Sequence, residues 1–222
     1  MAAGLGTRLR PLTDRHPKPV LPIDGRPVIV TLLRELAAAD VGRVTVVTGH
    51  LAEQVERLLD GFDHDLRFVR QPEPIGSADA LGRAAVDPPY LSVAADTVFA
   101  PGDVARFLAG AGDEGAIAVR RQPGRPDHTR IGVAGGLVVR VSDPGADGGL
   151  TAAPLTRISR EVAAELEVVR QPPYTPPFEL AQAFQRAIDA GRRIRAVEIG
   201  PTRDLTSPLD LVRENFPYLR GL

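Results

Sequence analysis

The chain has 222 residues, 43% hydrophobic and 25% charged, with a net charge of −1 and no cysteine. That composition suits one soluble globular domain and excludes a general electrostatic grip on nucleic acid. Disulfides, thiolate nucleophiles and zinc–thiolate sites are excluded as well, and no apolar run reaches the roughly 18 residues of a membrane span. The N-terminus carries no basic segment leading into an apolar core, so a cytoplasmic protein with no membrane partner is expected.

In chain order, Pro27–Ala39 is apolar at helical spacing, Val44–Thr48 is a β-branched run, Glu53–Leu59 reads as helix and Leu66–Arg70 as strand. Ser77–Ala85 reads as a helix with Ser77 near its N-cap, and Tyr90–Ala95 as a strand ending at Asp96. Asp103–Ala109 is predicted helical and Ala116–Arg120 extended. Ile131–Val133 and Leu137–Val141 are predicted to form a hairpin around Gly135-Gly136. The Gly/Pro-rich stretch Ser142–Ala153 reads as a loop or insertion. Phe178–Ala190 is predicted to be an amphipathic helix, followed by a strand over Arg195–Ile199. A last helix opens at Ser207, with Pro208 in its first turn. Alternation of this kind predicts an α/β fold with a mostly parallel sheet, and 1–222 is read as a single domain.

The N-terminus carries the densest signal: Ala2-Ala3-Gly4-Leu5-Gly6-Thr7-Arg8-Leu9-Arg10-Pro11-Leu12-Thr13, then Pro17-Lys18-Pro19. Glycines let backbone N–H groups curl around an anion, Thr7 adds a hydroxyl, and Arg8 and Lys18 add charge at two points of a polyphosphate. Lys18 is the only lysine among 27 basic residues, which suggests a position that needs a compact ammonium. A dinucleotide fingerprint would need glycine at position 9, which is Leu. A Walker loop would need a Gly-Lys-Ser/Thr that does not follow.

The run resembles the signature of the sugar-1-phosphate nucleotidyltransferases (nucleotide-sugar pyrophosphorylases). Gln71 with Pro74-Ile75-Gly76-Ser77-Ala78 resembles that family's base-recognition segment, and Val93-Ala94-Ala95-Asp96 its strand-end acidic motif. Arg203-Asp204-Leu205-Thr206-Ser207-Pro208-Leu209-Asp210-Leu211 resembles its C-terminal element. The resemblance implies a Rossmann-like α/β/α sandwich of the nucleotide-diphospho-sugar transferase type. It also implies a magnesium-dependent enzyme that joins a nucleoside triphosphate to a sugar 1-phosphate, or a related phosphorylated small molecule, and releases pyrophosphate. On that resemblance Arg8, Lys18 and Asp96 are catalytic. Ala2, Ala3, Gly4, Gly6, Thr7, Gln71, Gly76 and Ser77 hold the nucleotide, and Asp96 and Asp204 bind Mg²⁺. Other readings of the same motif are a non-catalytic nucleotide-sugar-binding regulatory subunit and a cytidylyltransferase for a non-sugar phosphate such as phosphocholine. Base, acceptor and oligomeric state are left open.

The sequence departs from the family in places. Where many members carry Glu-Lys-Pro, whose lysine holds the acceptor phosphate, this chain reads Ser142-Asp143-Pro144. Arg130, Arg140 and Arg157 are candidates to replace that lysine. Ala153-Pro154-Leu155 stands where the family has Gly-Ile-Tyr, and Gly132 matches a glycine against which a sugar ring can lie. Arg120-Arg121 and Arg192-Arg193 read as solvated charge runs, and His16, His50, His64 and His128 as surface or core histidines without ligand spacing. In the family an interior strand precedes the Ala-Ala-Gly loop. Here only Met1 does, so the first strand is expected to be missing and the natural protein to begin upstream.

Overall fold

Short runs of Val, Thr and Ile between turn residues form most of the strands of the computed structural model, and apolar residues at helical spacing form its helices. Residues 1–121, 129–141 and 149–216 are described. In chain order the elements are β1 (Pro22–Ile23), β2 (Arg26–Pro27), α1 (Val28–Ala38), β3 (Arg43–Thr48), α2 (Ala52–Leu58), β4 (Asp65–Arg70), α3 (Ser77–Ala84), β5 (Tyr90–Val93), β6 (Thr97–Val98), α4 (Asp103–Ala111) and β7 (Gly115–Arg121). They continue with β8 (Ile131–Ala134), β9 (Leu137–Val141), β10 (Leu150–Ile158), α5 (Arg160–Val169), α6 (Leu180–Asp189), β11 (Ile194–Glu198), β12 (Arg203–Asp204) and α7 (Pro208–Asn215). The α/β class expected from the sequence is the observed one.

The chain folds as two compact units. The first holds Met1–Pro74, Ala94–Pro101 and Thr202–Leu222, the second Ile75–Val93 and Gly102–Pro201. In the first unit β3 and β4 pair in parallel from Arg43↔Asp65 to Thr48↔Arg70. Ala2 makes a parallel bridge to Thr48. Its N–H donates to the Val47 carbonyl at 2.7 Å, and the Met1 carbonyl accepts from the Ala95 N–H at 2.8 Å. β6 and β12 pair antiparallel, with Asp204 opposite Thr97 and Arg203 opposite Val98. Leu9, Leu21, Ile23, Val28 and Leu205 form one buried apolar cluster, with Val98 and Leu211 packed against it.

The second unit is built on a six-stranded sheet in the order β5-β10-β7-β11-β9-β8. β7 and β11 run parallel. Strand β10 lies antiparallel to both β5 and β7, and β9 lies antiparallel to β11 and β8. The hairpin around Gly135-Gly136 is present, both glycines having positive φ.

Strand β10 corrects the sequence reading, because Leu150–Ala153, read there as loop, are strand. Pro154 in its middle has no N–H to give, and the register against β7 shifts between Ala152 and Thr156. The Ser142-Asp143-Pro144 assignment lies outside the described residues. Helix α5 was not read from the sequence either, although Ser159 caps it, accepting from the Val162 N–H at 3.4 Å. It buries Val162, Leu166 and Val169 at helical spacing. Among the described residues no helix is long and apolar enough to cross a membrane.

Phe107, on α4, is fully buried at 0% exposure, whereas Leu209, on α7, is 52% exposed. Phe107→Ala is expected to cost about 3–5 kcal/mol in urea denaturation, because it removes apolar contact and leaves a cavity. Leu209→Ala is expected to stay within about 0.5 kcal/mol of wild type. Equal effects would contradict the placement of the core.

Candidate active site

The N-terminal loop is held by its apolar residues and presents its polar ones. Ala2, Ala3 and Leu9 are buried at 3%, 6% and 1% exposure, while Gly4, Thr7 and Arg8 are exposed. Thr7 and Arg8 sit on a single 3-10 turn, Thr7–Leu9, entered from Gly6 at φ 63°. Thr13 closes the loop from beneath, its hydroxyl donating to the Gly6 carbonyl at 2.9 Å. A Cβ on Gly6 would stand 2.8 Å from the Thr13 methyl carbon, so position 6 is held to glycine by space as well as by φ.

Lys18 opens another 3-10 turn, Lys18–Val20, between buried Pro17 and Pro19. Its Nζ donates to Asp96 Oδ2 at 2.5 Å, the two side chains being 15% and 32% exposed. Asp96 lies immediately before β6, and the Thr97 hydroxyl donates to its Oδ1 at 3.2 Å. Burial works against ionisation of the Asp96 carboxyl. The charge and hydrogen bond of Lys18, with the Thr97 hydroxyl, outweigh it and hold the carboxyl below its ordinary value of 3.8. The β6–β12 pairing then brings Asp204 to the position opposite Thr97, next in line to Asp96. The Thr206 hydroxyl donates to Asp204 Oδ2 at 2.7 Å. The neighbouring Asp210 is a helix-start residue, since its Oδ2 accepts from the N–H groups of Thr206 and Ser207 at 3.0 and 2.8 Å.

Of the sequence-derived site residues, the first unit therefore brings Lys18 onto Asp96, holds Asp204 opposite the next residue, Thr97, and carries the Ala2–Arg8 loop. Gln71 belongs to the same unit but is buried at 4% exposure, its N–H donating to the Thr48 carbonyl at 2.7 Å. Gly76 and Ser77 belong to the second unit, where both have structural duties. Gly76 is itself the N-cap position of α3, with Ser77 next to it as expected. A Cβ on Gly76 would lie 2.2 Å from the Phe178 carbonyl oxygen, at a φ of +120°. The Ser77 hydroxyl donates to Glu179 Oε2 at 2.7 Å and accepts from the Leu180 N–H at 2.8 Å, so it joins the start of α6.

The remaining arginines divide. Arg121 is exposed and paired with Glu198 at 3.0 Å, as a solvated residue should be. Arg120 is buried at 4%, with its Nε 3.5 Å from the Thr151 hydroxyl, and the solvated reading is wrong for it. Residue 120 lies inside β7, flanked by β10, and the missed β10 is why sequence reasoning left it outside. Arg130 bridges to Thr151, Arg140 stands opposite Gly132, and Arg157 reaches Asp113 at 3.7 Å. His50 was passed over because it has no ligand spacing. Its signal was its place just beyond the carboxyl end of a parallel strand, where α/β folds put their working residues.

Residues 1–193 match the family described as the MobA-like NTP transferase domain. The chain belongs to that family. The sugar-1-phosphate nucleotidyltransferase resemblance read from the N-terminal motif is thereby upheld. Its relatives include CMP-5'-(3-aminopropyl)phosphonate synthase of Streptomyces rubellomurinus, 36% identical over 68% of this chain and 23% of that protein. The glucose-1-phosphate thymidylyltransferase of Streptomyces antibioticus is 30% identical over 100% of this chain and 66% of its own length. The chain thus spans less than two thirds of either relative. The inositol-1-phosphate CTP transferase from T. maritima shares the fold with a TM-score of 0.81 at 18% identity, covering 94% of this chain and 88% of that one. The Rossmann-like fold of this nucleotidyltransferase domain is the one expected.

Among the described residues no group of three or more His, Cys, Asp or Glu side chains could hold a metal ion. The pair Asp96 and Asp204 fits a different demand. Magnesium takes one or two carboxylates and completes its shell with water and phosphate oxygens, and Asp96 stands one residue before Thr97, the ladder partner of Asp204.

Removing the Lys18 charge is expected to raise the Asp96 pKa above its wild-type value, because the largest counterweight to burial is then gone. In wild type the depressed pKa gives a stability contribution that is full above the ordinary carboxyl range and lost as pH falls through the folded value. In Lys18→Met the carboxyl takes up its proton at higher pH. A carboxyl ¹³C titration of both proteins checks this, and an unchanged midpoint would contradict the ion pair.

Proposed function

We propose that this chain is a magnesium-dependent nucleotidyltransferase that joins a nucleoside triphosphate to a sugar 1-phosphate and releases pyrophosphate. The observation that carries the reading is the Lys18–Asp96 contact, with Asp204 paired to the residue that follows Asp96, in the unit that also carries the Gly4–Arg8 loop. An acceptor phosphate oxygen attacks the α-phosphorus in line. The new P–O bond forms as the bond to the β-phosphate bridging oxygen breaks, and pyrophosphate leaves without a covalent enzyme intermediate.

In this reading the Ala2–Thr7 backbone and the Thr7 hydroxyl cradle the triphosphate, with Arg8 on the departing pyrophosphate. The Lys18 ammonium bridges the α-phosphate and the acceptor phosphate as a point charge. Gln71 takes the base-reading role that its place in the motif implies. Asp96 and Asp204 would hold Mg²⁺, which would supply charge neutralisation at the phosphates. Catalysis by these residues is positioning and electrostatics.

A second reading keeps the reaction and changes the substrates to CTP and a phosphonate or non-sugar phosphate. Two of the relatives above act in that chemistry by name, and this chain has no second lysine for an acceptor phosphate. Pyrophosphate release should be measured with each of the four common ribonucleoside triphosphates and dTTP. Glucose 1-phosphate, inositol 1-phosphate, phosphocholine and 2-aminoethylphosphonate serve as acceptors. The first reading expects turnover with glucose 1-phosphate, the second with CTP and a non-sugar acceptor. Tight nucleotide-sugar binding without turnover in any combination would favour a regulatory subunit.

With the working pair in hand, Asp96→Ala is expected to abolish release while leaving the circular dichroism spectrum intact. Lys18→Arg should lose about a hundredfold, since a planar guanidinium replaces a point charge between two phosphates. Asp204→Ala should raise the magnesium concentration needed for half-maximal rate. Wild-type rates in the first two, or an unmoved magnesium titration in the third, would remove those residues from the site.

A further inference from the structure

We propose that His50 is a positioning residue of the phosphate loop, tying its two ends together at the width a polyphosphate requires. The inference rests on the reading of Gly4–Arg8 as a phosphate cradle.

His50 follows Gly49 just beyond the carboxyl end of β3 and is half-buried. Its backbone N–H donates to the Ala3 carbonyl at 3.4 Å. Its ring Nε2–H donates to the Thr13 carbonyl at 2.6 Å. Ala3 and Thr13 are the two ends of the loop, and Gly4, Gly6, Thr7 and Arg8 all lie between them. Thr13 carries the tie inward, since its hydroxyl donates to the Gly6 carbonyl at 2.9 Å. One side chain thus reaches the far end of the loop, and its own backbone reaches the near end.

The turn that carries His50 is seated against the loop. A Cβ on Gly49 would lie 2.8 Å from both the Cβ and the carbonyl oxygen of Ala3. Thr13 is 1% exposed, so its carbonyl is largely cut off from water and needs a protein donor. Because a carbonyl can only accept, the bond fixes the tautomer with hydrogen on Nε2. At 2.6 Å it is the stronger of the two ties, the backbone bond being at the long limit.

The loop needs such a tie for a physical reason. A cradle of backbone N–H groups favours an anion only when the groups already point at it. Gly4 and Gly6 are chosen for conformational breadth and cannot supply that stiffness themselves. The stiffness has to come from a neighbour that grips both ends.

The test compares His50→Gln and His50→Phe in the whole chain. Glutamine places an amide N–H near the ring Nε2 position, whereas phenylalanine keeps the ring and loses the donor. Three quantities are read: thermal midpoint, affinity for inorganic tripolyphosphate with magnesium by calorimetry, and amide hydrogen exchange over Gly4–Arg10. His50→Phe is expected to bind tripolyphosphate about tenfold more weakly and to exchange faster at the loop amides. His50→Gln is expected to restore both, with the two variants melting within a few degrees of each other. A Phe variant with wild-type affinity and exchange overturns the role of His50 and leaves the cradle reading intact, as does equal loss in both variants. A wild-type chain that binds no tripolyphosphate overturns the cradle reading, and the proposal with it.

Discussion

An ammonium and a carboxylate taken partly out of water each lose hydration, and their attraction repays that loss only in good geometry. The Lys18–Asp96 pair meets this condition at 2.5 Å, and much of the first unit serves to keep it there. Pro17 and Pro19 limit the backbone on either side of Lys18. On the other partner, the Thr97 hydroxyl holds the second carboxylate oxygen, and β12 fixes Thr97 in turn by pairing with β6.

The same economy runs through the rest of the site. Three polar residues of its segments are each followed by an apolar residue that packs in or against the core. Arg8 precedes Leu9, Thr97 precedes Val98, and Asp204 precedes Leu205, and all three apolar residues meet in one cluster with Leu21, Ile23 and Val28. Three segments far apart in sequence are thereby referenced to a single core. A displacement of the cluster would move the phosphate loop and both carboxylates together, so their mutual geometry is protected even where the loop is exposed.

The parts of this arrangement that were legible in the sequence are those encoded locally. The Gly-x-Gly-Thr-Arg run, Lys18 between two prolines and Asp96 after an apolar run each announce themselves within a few residues, although the strand expected to end at Asp96 ends at Val93. The α/β alternation was legible for the same reason, since β3, α2, β4 and α4 carry clear periods. What was missed depends on partners distant in the chain. β10 is a strand despite Pro154 because β5 and β7 claim its two edges, with a register shift absorbing the missing donor. Arg120 looked solvated beside Arg121 because a strand sends neighbours to opposite faces, and only the pairing with β10 shows which face is buried. His50 carries no motif at all, since its meaning lies in reaching Ala3 and Thr13 at once.

Gly76 and Ser77 show why a motif residue is not by that fact a ligand contact. The absent side chain of Gly76 is required by the Phe178 backbone, and the Ser77 hydroxyl is used by Glu179 and Leu180. Fold alone would retain both residues, so their identity adds little weight to a base-reading role. Lys18 and Asp96 stand differently. A charged pair in a partly buried place can often be exchanged for apolar residues of similar size without loss of stability, and sometimes with a gain. Nothing in the packing of the first unit calls for a lysine at position 18, in a chain that supplies positive charge everywhere else with arginine. A residue type that stability does not demand, held at short range to a carboxylate that burial disfavours, has its explanation in what the pair does to a third charged group.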